Sequence, residues 1–230
     1  MSNFKENGPV YFEEVNEYTK KVSEIFVKFL KEKLSIDDIR NIHKKINNEE
    51  ILSSNTDQST LIHKTIYEEF DKDIDSELVK IYRKLTLNSL KSLSEYFGID
   101  EWAIQRYPSF RVHFPNNLSV FEFHRDSDYN HPYGEINQFL AITNCWNSSA
   151  LHLEKTFGWE NYIPLNLKAG ESAFINTSIF KHGDFPNKTE FTRFSIDFRF
   201  IPIFVLNKIK EKSSLTAKRK FNTDDYFMIQ

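Results

Sequence analysis

The sequence predicts an α+β fold, a helical first half followed by an antiparallel sandwich or jelly roll. Three observations predict it. Up to about residue 100, apolar residues recur at spacings of three and four, the period of an amphipathic helix. After Trp102 the period drops to two, and prolines at 108 and 115 with Asn116-Asn117 cut the chain into short runs. No helical stretch separates those runs, which points to antiparallel packing of sheet on sheet rather than to βαβ units. The 230 residues fit one domain. Its parts are a helical region over 1–100, a β-rich core over 101–206 and a C-terminal helix or tail over 207–230.

Each element has its own signal. Val15, Tyr18, Val22, Ile25, Phe26, Phe29, Leu30 and Leu34 form the stripe of a first helix. Ser35-Ile36-Asp37-Asp38 reads as an N-cap opening a short second helix to about Ile46. Residues 47–59 are polar and read as a loop. Leu61 to Phe70 and Asp75 to Phe97 resume helical spacing, and Gly98 is placed to end the last helix. Expected strands are Phe110 to Phe114, Leu118 to His124, Glu135 to Thr143, Ala150 to Leu153, Glu171 to Ile175 and Phe191 to Phe204.

Composition narrows the function classes. Hydrophobic content of 40% with 22 phenylalanines suffices for an aromatic-rich core. A net charge of -3 argues against a nucleic-acid partner. The single cysteine, Cys145, leaves no intramolecular disulfide and fits a reducing compartment. No apolar run reaches membrane-spanning length and the first residues are polar, so no membrane role and a cytoplasmic location are expected.

The chemistry gathers at the end of the Leu118 to His124 run. On a strand, His124 and Asp126 would project from one face, because side chains repeat every two residues. An imidazole and a carboxylate so placed can share one metal ion, and His182 is available as a third ligand. Two histidines and one carboxylate with open positions form the facial arrangement of non-haem Fe(II) oxygenases. After His182 and ten intervening residues comes Arg193-Phe194-Ser195, and on a strand residues 193, 195, 197 and 199 share a face.

In this order, His124-x-Asp126, His182 and Arg193-x-Ser195 resemble the Fe(II)/2-oxoglutarate-dependent dioxygenase superfamily. The run from His124 to Asn137 is more narrowly similar to its streptomycin-biosynthesis-type branch. The resemblance covers about residues 105–205. It implies a double-stranded β-helix (a cupin-like jelly roll) with Fe(II) on His124, Asp126 and His182. It further implies 2-oxoglutarate as cosubstrate, O2 as oxidant, succinate and CO2 as coproducts, and hydroxylation of a small polar molecule such as an amino acid, sugar or nucleotide-sugar. Arg193 would take the far carboxylate of the keto acid through paired N–H donors, with Ser195 adding a hydroxyl. Arg199 is the alternative clamp, with Asp197 as its ion-pair partner. Asn137 and Thr143, on the strand after the metal loop, could reach the keto acid as well, with simple sheet hydrogen bonding as the competing role.

Arg111, His131, Tyr129 and Glu135 are candidate substrate contacts, with structural ion pairs or loop fixing as the competing roles. Desaturation, epimerisation or cyclisation would follow from the same centre. Two other functions fit the residues: a metal cupin isomerase or dioxygenase working without a keto acid, and a non-catalytic jelly-roll binding module. A protein-modifying oxygenase is a further possibility, and the helical half offers a surface for a homodimer.

Overall fold

A computed structural model of the chain describes residues 8–46, 60–72, 76–119, 122–209, 212–215 and 218–229. The helical stripes behave as their spacing predicts. Helix α1 (Glu17–Leu34) starts at Asn16, whose side chain accepts from the amides of Tyr18 and Thr19, and it buries Val22, Ile25, Phe26, Phe29 and Leu30. The expected second helix is a 3-10 turn, Ile39–Lys44, capped by Asp38. Helices α2 (Leu61–Lys72) and α3 (Glu77–Phe97) follow. Gly98 closes α3 at φ +66°, donating its N–H to Ser94, a left-handed position that suits glycine. The expected loop over 47–59 lies outside the described residues.

The chain opens on a strand that the helical reading of the first hundred residues overlooked. Strand β1 (Val10–Glu14) pairs antiparallel with β7 (Ser172–Ile175). The main sheet continues through β4 (Ile136–Ala141) to β9 (Arg193–Pro202). On its other edge β9 carries β3 (Ser109–His113) and then β2 (Trp102–Gln105). Alternation along β9 gives the sheet two unlike faces. Phe194, Ile196, Phe198 and Phe200 pack with α1, α2 and α3 in one continuous core. Arg193, Ser195, Asp197 and Arg199 take the opposite face, and all four are buried.

That opposite face meets a second antiparallel sheet, β6 (Tyr162–Leu165), β5 (Leu151–Glu154) and β8 (His182–Gly183). Phe139, Ala141, Ala173 and Ile175 from the main sheet and Leu151, Leu153 and Leu165 from the smaller one form a separate apolar core. The molecule is thus helices on one side of an antiparallel sheet and a smaller antiparallel sheet on the other. Among the described residues no helix is long and apolar enough to cross a membrane.

Two expectations are corrected here. Of the strand expected from Leu118 to His124, residues 120 and 121 lie outside the described residues, and among the described ones His124 forms a single isolated bridge to His182. The C-terminal part, expected as a helix or tail, packs into the fold. After a short helix, α4 (Ile203–Leu206), the chain buries Phe221, Tyr226 and Phe227 and adds β10 (Phe227–Met228) beside β2. Burial of each aromatic ring is worth roughly 1.5–3 kcal/mol, enough to hold a segment with little secondary structure of its own.

Candidate metal centre

Backbone contacts, not strand alternation, bring the three candidate ligands together. His124 and His182 exchange both N–H···O bonds, at 3.0 and 2.9 Å. The approach is close, since a Cβ on Gly183 would stand 3.0 Å from the Phe123 ring and 3.1 Å from its Cα. Two residues on, the Asp126 amide donates to the Thr177 carbonyl (2.8 Å), and Asp126 opens a 3-10 turn to Tyr129. The Asp128 carboxylate accepts from the Arg125 amide at 2.8 Å and fixes the start of that turn.

The donor atoms of His124, Asp126 and His182 lie within 4.8 Å of one another. Asp126 Oδ1 stands 3.9 Å from His124 Nε2 and 3.7 Å from His182 Nε2. Small side-chain shifts would bring such atoms to coordination distance, about 2.0–2.2 Å. The surroundings prepare them. His124 Nδ1 lies 2.8 Å from the Glu122 carbonyl, which can only accept, so Nδ1 carries the proton and Nε2 presents a lone pair. Asp126 Oδ2 accepts from Thr177 Oγ1 at 2.6 Å and from Arg199 Nε and Nη2 at 3.1 and 3.0 Å. Burial opposes the charge on Asp126. Arg199, His182, His131 and the Thr177 hydroxyl outweigh it and hold this carboxyl well below the usual range.

Farther in lies a second buried polar group. Arg193 donates through Nη1 to Ser195 Oγ (2.7 Å), through Nε to the Ser149 carbonyl (2.9 Å) and through Nη2 to Asp184 Oδ1 (2.9 Å). Ser119 donates to the other Asp184 oxygen, and His113 Nδ1 lies 3.3 Å from Arg193 Nη2. Arg193 and Ser195 therefore sit together as their spacing predicts, and Arg193 already carries a carboxylate. Arg199 belongs to Asp126, with Glu135 and Asp197 each at 3.5 Å. Asn137 is paired with Arg199 across the sheet, its Oδ1 buried without a hydrogen-bond partner. Thr143 Oγ1 accepts from the Phe194 amide at 2.8 Å.

The candidate substrate contacts scatter. Arg111 reaches Asp197 at 3.1 Å on the inner face. Tyr129 sets its ring edge-on to His124, with centroids 5.0 Å apart. His131 and Glu135 pair at 2.7 Å in the interior, with Ser214 3.3 Å from His131 Nε2. Thr177, Gln105 and Tyr226 escaped the sequence reading, since no spacing ties them to the ligands. Asp184 shares the face of His182 two residues on, a signal that could have been followed.

Two buried imidazoles make the metal-free protein sensitive to mild acid. Burial holds both His113 and His182 down to about 4. An unfolded histidine protonates near pH 6.5, so between about pH 6.5 and 4 the unfolded chain binds protons that the folded chain refuses. Stability is therefore complete above that window and falls as pH drops through it, each group contributing on the order of 3 kcal/mol. Urea midpoints at pH 7.5 and 5 are expected to differ clearly, and to differ less in His113→Gln. Equal midpoints would refute neutral buried imidazoles.

No family model matches the chain. Among curated proteins it is 31% identical over 152 residues to the streptomycin biosynthesis protein StrG of Streptomyces griseus, covering 66% of this chain and 68% of that one. Solved structures of similar shape include the nickel complex of the non-heme monooxygenase ThoJ (TM-score 0.46, 10% identity, 84% of this chain and 72% of that one). They include the alpha ketoglutarate-dependent epimerase SnoN from nogalamycin biosynthesis (0.44, 16%, 53% and 56%). EvdO2 of Micromonospora carbonacea var. aurantiaca, complexed with 2-oxoglutarate, is another (0.43, 13%, 60% and 64%).

Proposed function

The chain belongs to the family of the streptomycin biosynthesis protein StrG, and from that premise we propose that it is an Fe(II)- and 2-oxoglutarate-dependent oxygenase of a small polar molecule. The observation that carries the reading is the convergence of His124 Nε2, His182 Nε2 and Asp126 Oδ1, the last two buried and His124 half-buried at the edge of the site. Two imidazoles and one carboxylate oxygen suit Fe(II) and leave coordination positions open. In this reading the two facing sheets are a jelly roll and the protein works in the cytoplasm.

When bound, iron and the keto acid together activate dioxygen and oxidise a C–H bond, with succinate and CO2 as coproducts. The protein's part is binding and orientation. His124, Asp126 and His182 hold the metal, and the Glu122 carbonyl sets the His124 tautomer. Arg193 with Ser195 anchors the far carboxylate, a task suited to a guanidinium that never loses its charge. Asp184 must share or yield that guanidinium. Arg111, Arg193 and Arg199 pair with Asp197, Asp184 and Asp126, and Glu135 lies between Arg199 and His131. A divalent cation at the three ligands adds positive charge to a site whose arginines are already paired, so the anionic keto acid is attracted more strongly once the metal is bound. In this reading Tyr129, edge-on to His124, contacts the substrate, and Arg111 does so only by sharing its bond to Asp197.

The test is an anaerobic titration of the apo-protein with Fe(II) and 2-oxoglutarate, followed by visible absorption. A charge-transfer band requiring both additions, with the keto acid binding more tightly to the metal-loaded protein, supports the reading. Metal binding with no band overturns it in favour of a metal cupin acting without a keto acid, the reading favoured by the Asp184–Arg193 pair. No metal binding leaves a non-catalytic module.

A further inference from the structure

Arg199 is on the keto-acid face of β9, yet its hydrogen bonds go elsewhere. A guanidinium fork meeting a carboxylate commonly places one donor on each oxygen. Here Nε and Nη2 both fall on Asp126 Oδ2, at 3.1 and 3.0 Å, and Thr177 Oγ1 takes the same oxygen at 2.6 Å. Three donors on one oxygen leave Oδ1 to face the two imidazoles. The carboxylate cannot rotate to offer both oxygens without breaking those bonds inside a buried site.

The arginine is itself held from several directions. Nη1 reaches Gln105 Oε1 at 3.3 Å from β2 and Tyr226 Oη at 3.5 Å from the C-terminal segment. Glu135 and Asp197 flank it at 3.5 Å, and Glu135 is in turn fixed by His131 at 2.7 Å. Burial disfavours its charge, but the surrounding carboxylates, Asp126 foremost, hold it firmly protonated. A cation so surrounded is not available to a ligand anion.

Resting on the metal-centre reading above, we infer that Arg199, with Thr177, is a positioning residue that makes Asp126 a single-oxygen ligand and so sets the affinity and geometry of the metal site. Arg199 is thereby removed as an alternative clamp for the keto acid. Through Gln105, Tyr226 and Glu135, the fork ties the metal ligand to β2, to the C-terminal segment and to the turn before β4. Partners that orient metal ligands typically change affinity about 10–100-fold when removed.

The experiment titrates Co(II), as a spectroscopic probe, into wild type, Arg199→Lys, Arg199→Met and Thr177→Val. It reads the visible ligand-field band and the dissociation constant, with circular dichroism and melting curves run alongside. Arg199→Lys keeps the charge but cannot place two donors on one oxygen. It is expected to bind Co(II) about 10-fold more weakly with an altered band, and Arg199→Met about 100-fold more weakly. Thr177→Val preserves shape and removes one donor, so it keeps the test alive if Arg199→Met does not fold. Its band should shift, with a several-fold loss of affinity. A purely structural role would lower the melting temperature and leave band and affinity of the folded protein unchanged, and that result in Arg199→Lys and Thr177→Val overturns the inference. If wild type itself fails to bind Co(II), the metal-centre reading falls and the inference with it. Wild-type binding with indifferent variants overturns the inference alone.

Discussion

Asp126→Asn is expected to lose metal affinity by at least about a hundredfold, more than any change around the ligands, because it removes the one anionic donor. The neutral amide offers weaker coordination, and its NH2 group cannot accept from Arg199 and Thr177 as Oδ2 does. One of the two contacts must fail. Stability should fall too, since the Arg199–Asp126 contact at 3.0 Å is buried on both sides. Glu135 and Asp197 remain at 3.5 Å, so the loss belongs at the low end of the 3–5 kcal/mol typical of breaking a buried pair. His182→Ala is the comparator, removing a ligand but no ion pair. It should lose metal equally and keep a larger share of its urea resistance. Fe(II) binding and urea midpoints of the two variants check this, and a metal-competent Asp126→Asn would remove Asp126 from the ligand set.

Arg193→Met is expected to carry the largest stability penalty in the molecule. Asp184, with its side chain fully buried, would keep Ser119 as a donor but lose its cation. Burial alone raises the Asp184 carboxyl, and Arg193 is the chief group that brings it below the ordinary range. Removing one partner of such a pair costs about 3–5 kcal/mol, while removing both costs far less. Arg193→Met with Asp184→Asn should recover most of the urea midpoint. The same proteins separate stability from binding. If Arg193 anchors the keto acid, the double variant stays folded and loses 2-oxoglutarate binding. Asp184→Asn alone, freeing the guanidinium, should bind it more tightly than wild type. A double variant that binds 2-oxoglutarate normally would move the anchor elsewhere.

What could be read from the residues alone follows a physical line. Helical stripes and the alternation of β9 repeat locally, so α1, α3 and the two faces around Arg193, Ser195, Asp197 and Arg199 were legible. That His124, Asp126 and His182 could meet was suggested by their residue types and order as well. The reason His124 and Asp126 converge was not, because it lies in backbone bonds to Thr177 and His182, more than fifty residues away. The same distance hides the partner of Arg199, 73 residues from Asp126. Strand β1 and the C-terminal segment were missed because pairing with β7 holds the first and aromatic burial the second, and neither leaves a period. The pairing of Arg193 with Asp184 illustrates the remaining gap. Sharing a face with a ligand marks a residue as interior without saying which charge it will meet.

The central position of β9 also dictates the order in which the molecule can be completed. Strands β2, β3 and β4 all pair with residues 193–202, β4 and β1 also pair with residues 172–175, and β2 pairs with β10 on its other edge. During synthesis these earlier strands leave the ribosome without partners, while α1, α2 and α3 can form from local contacts. Asp126 and His124 emerge long before Thr177, His182 and Arg199, so a metal ion offered to the nascent chain meets two loose ligands and no pocket. On the proposed reading, metal loading therefore follows release of the finished chain, and a translation arrest before residue 193 would leave a helical fragment bearing unpaired strand edges, a natural target for chaperones.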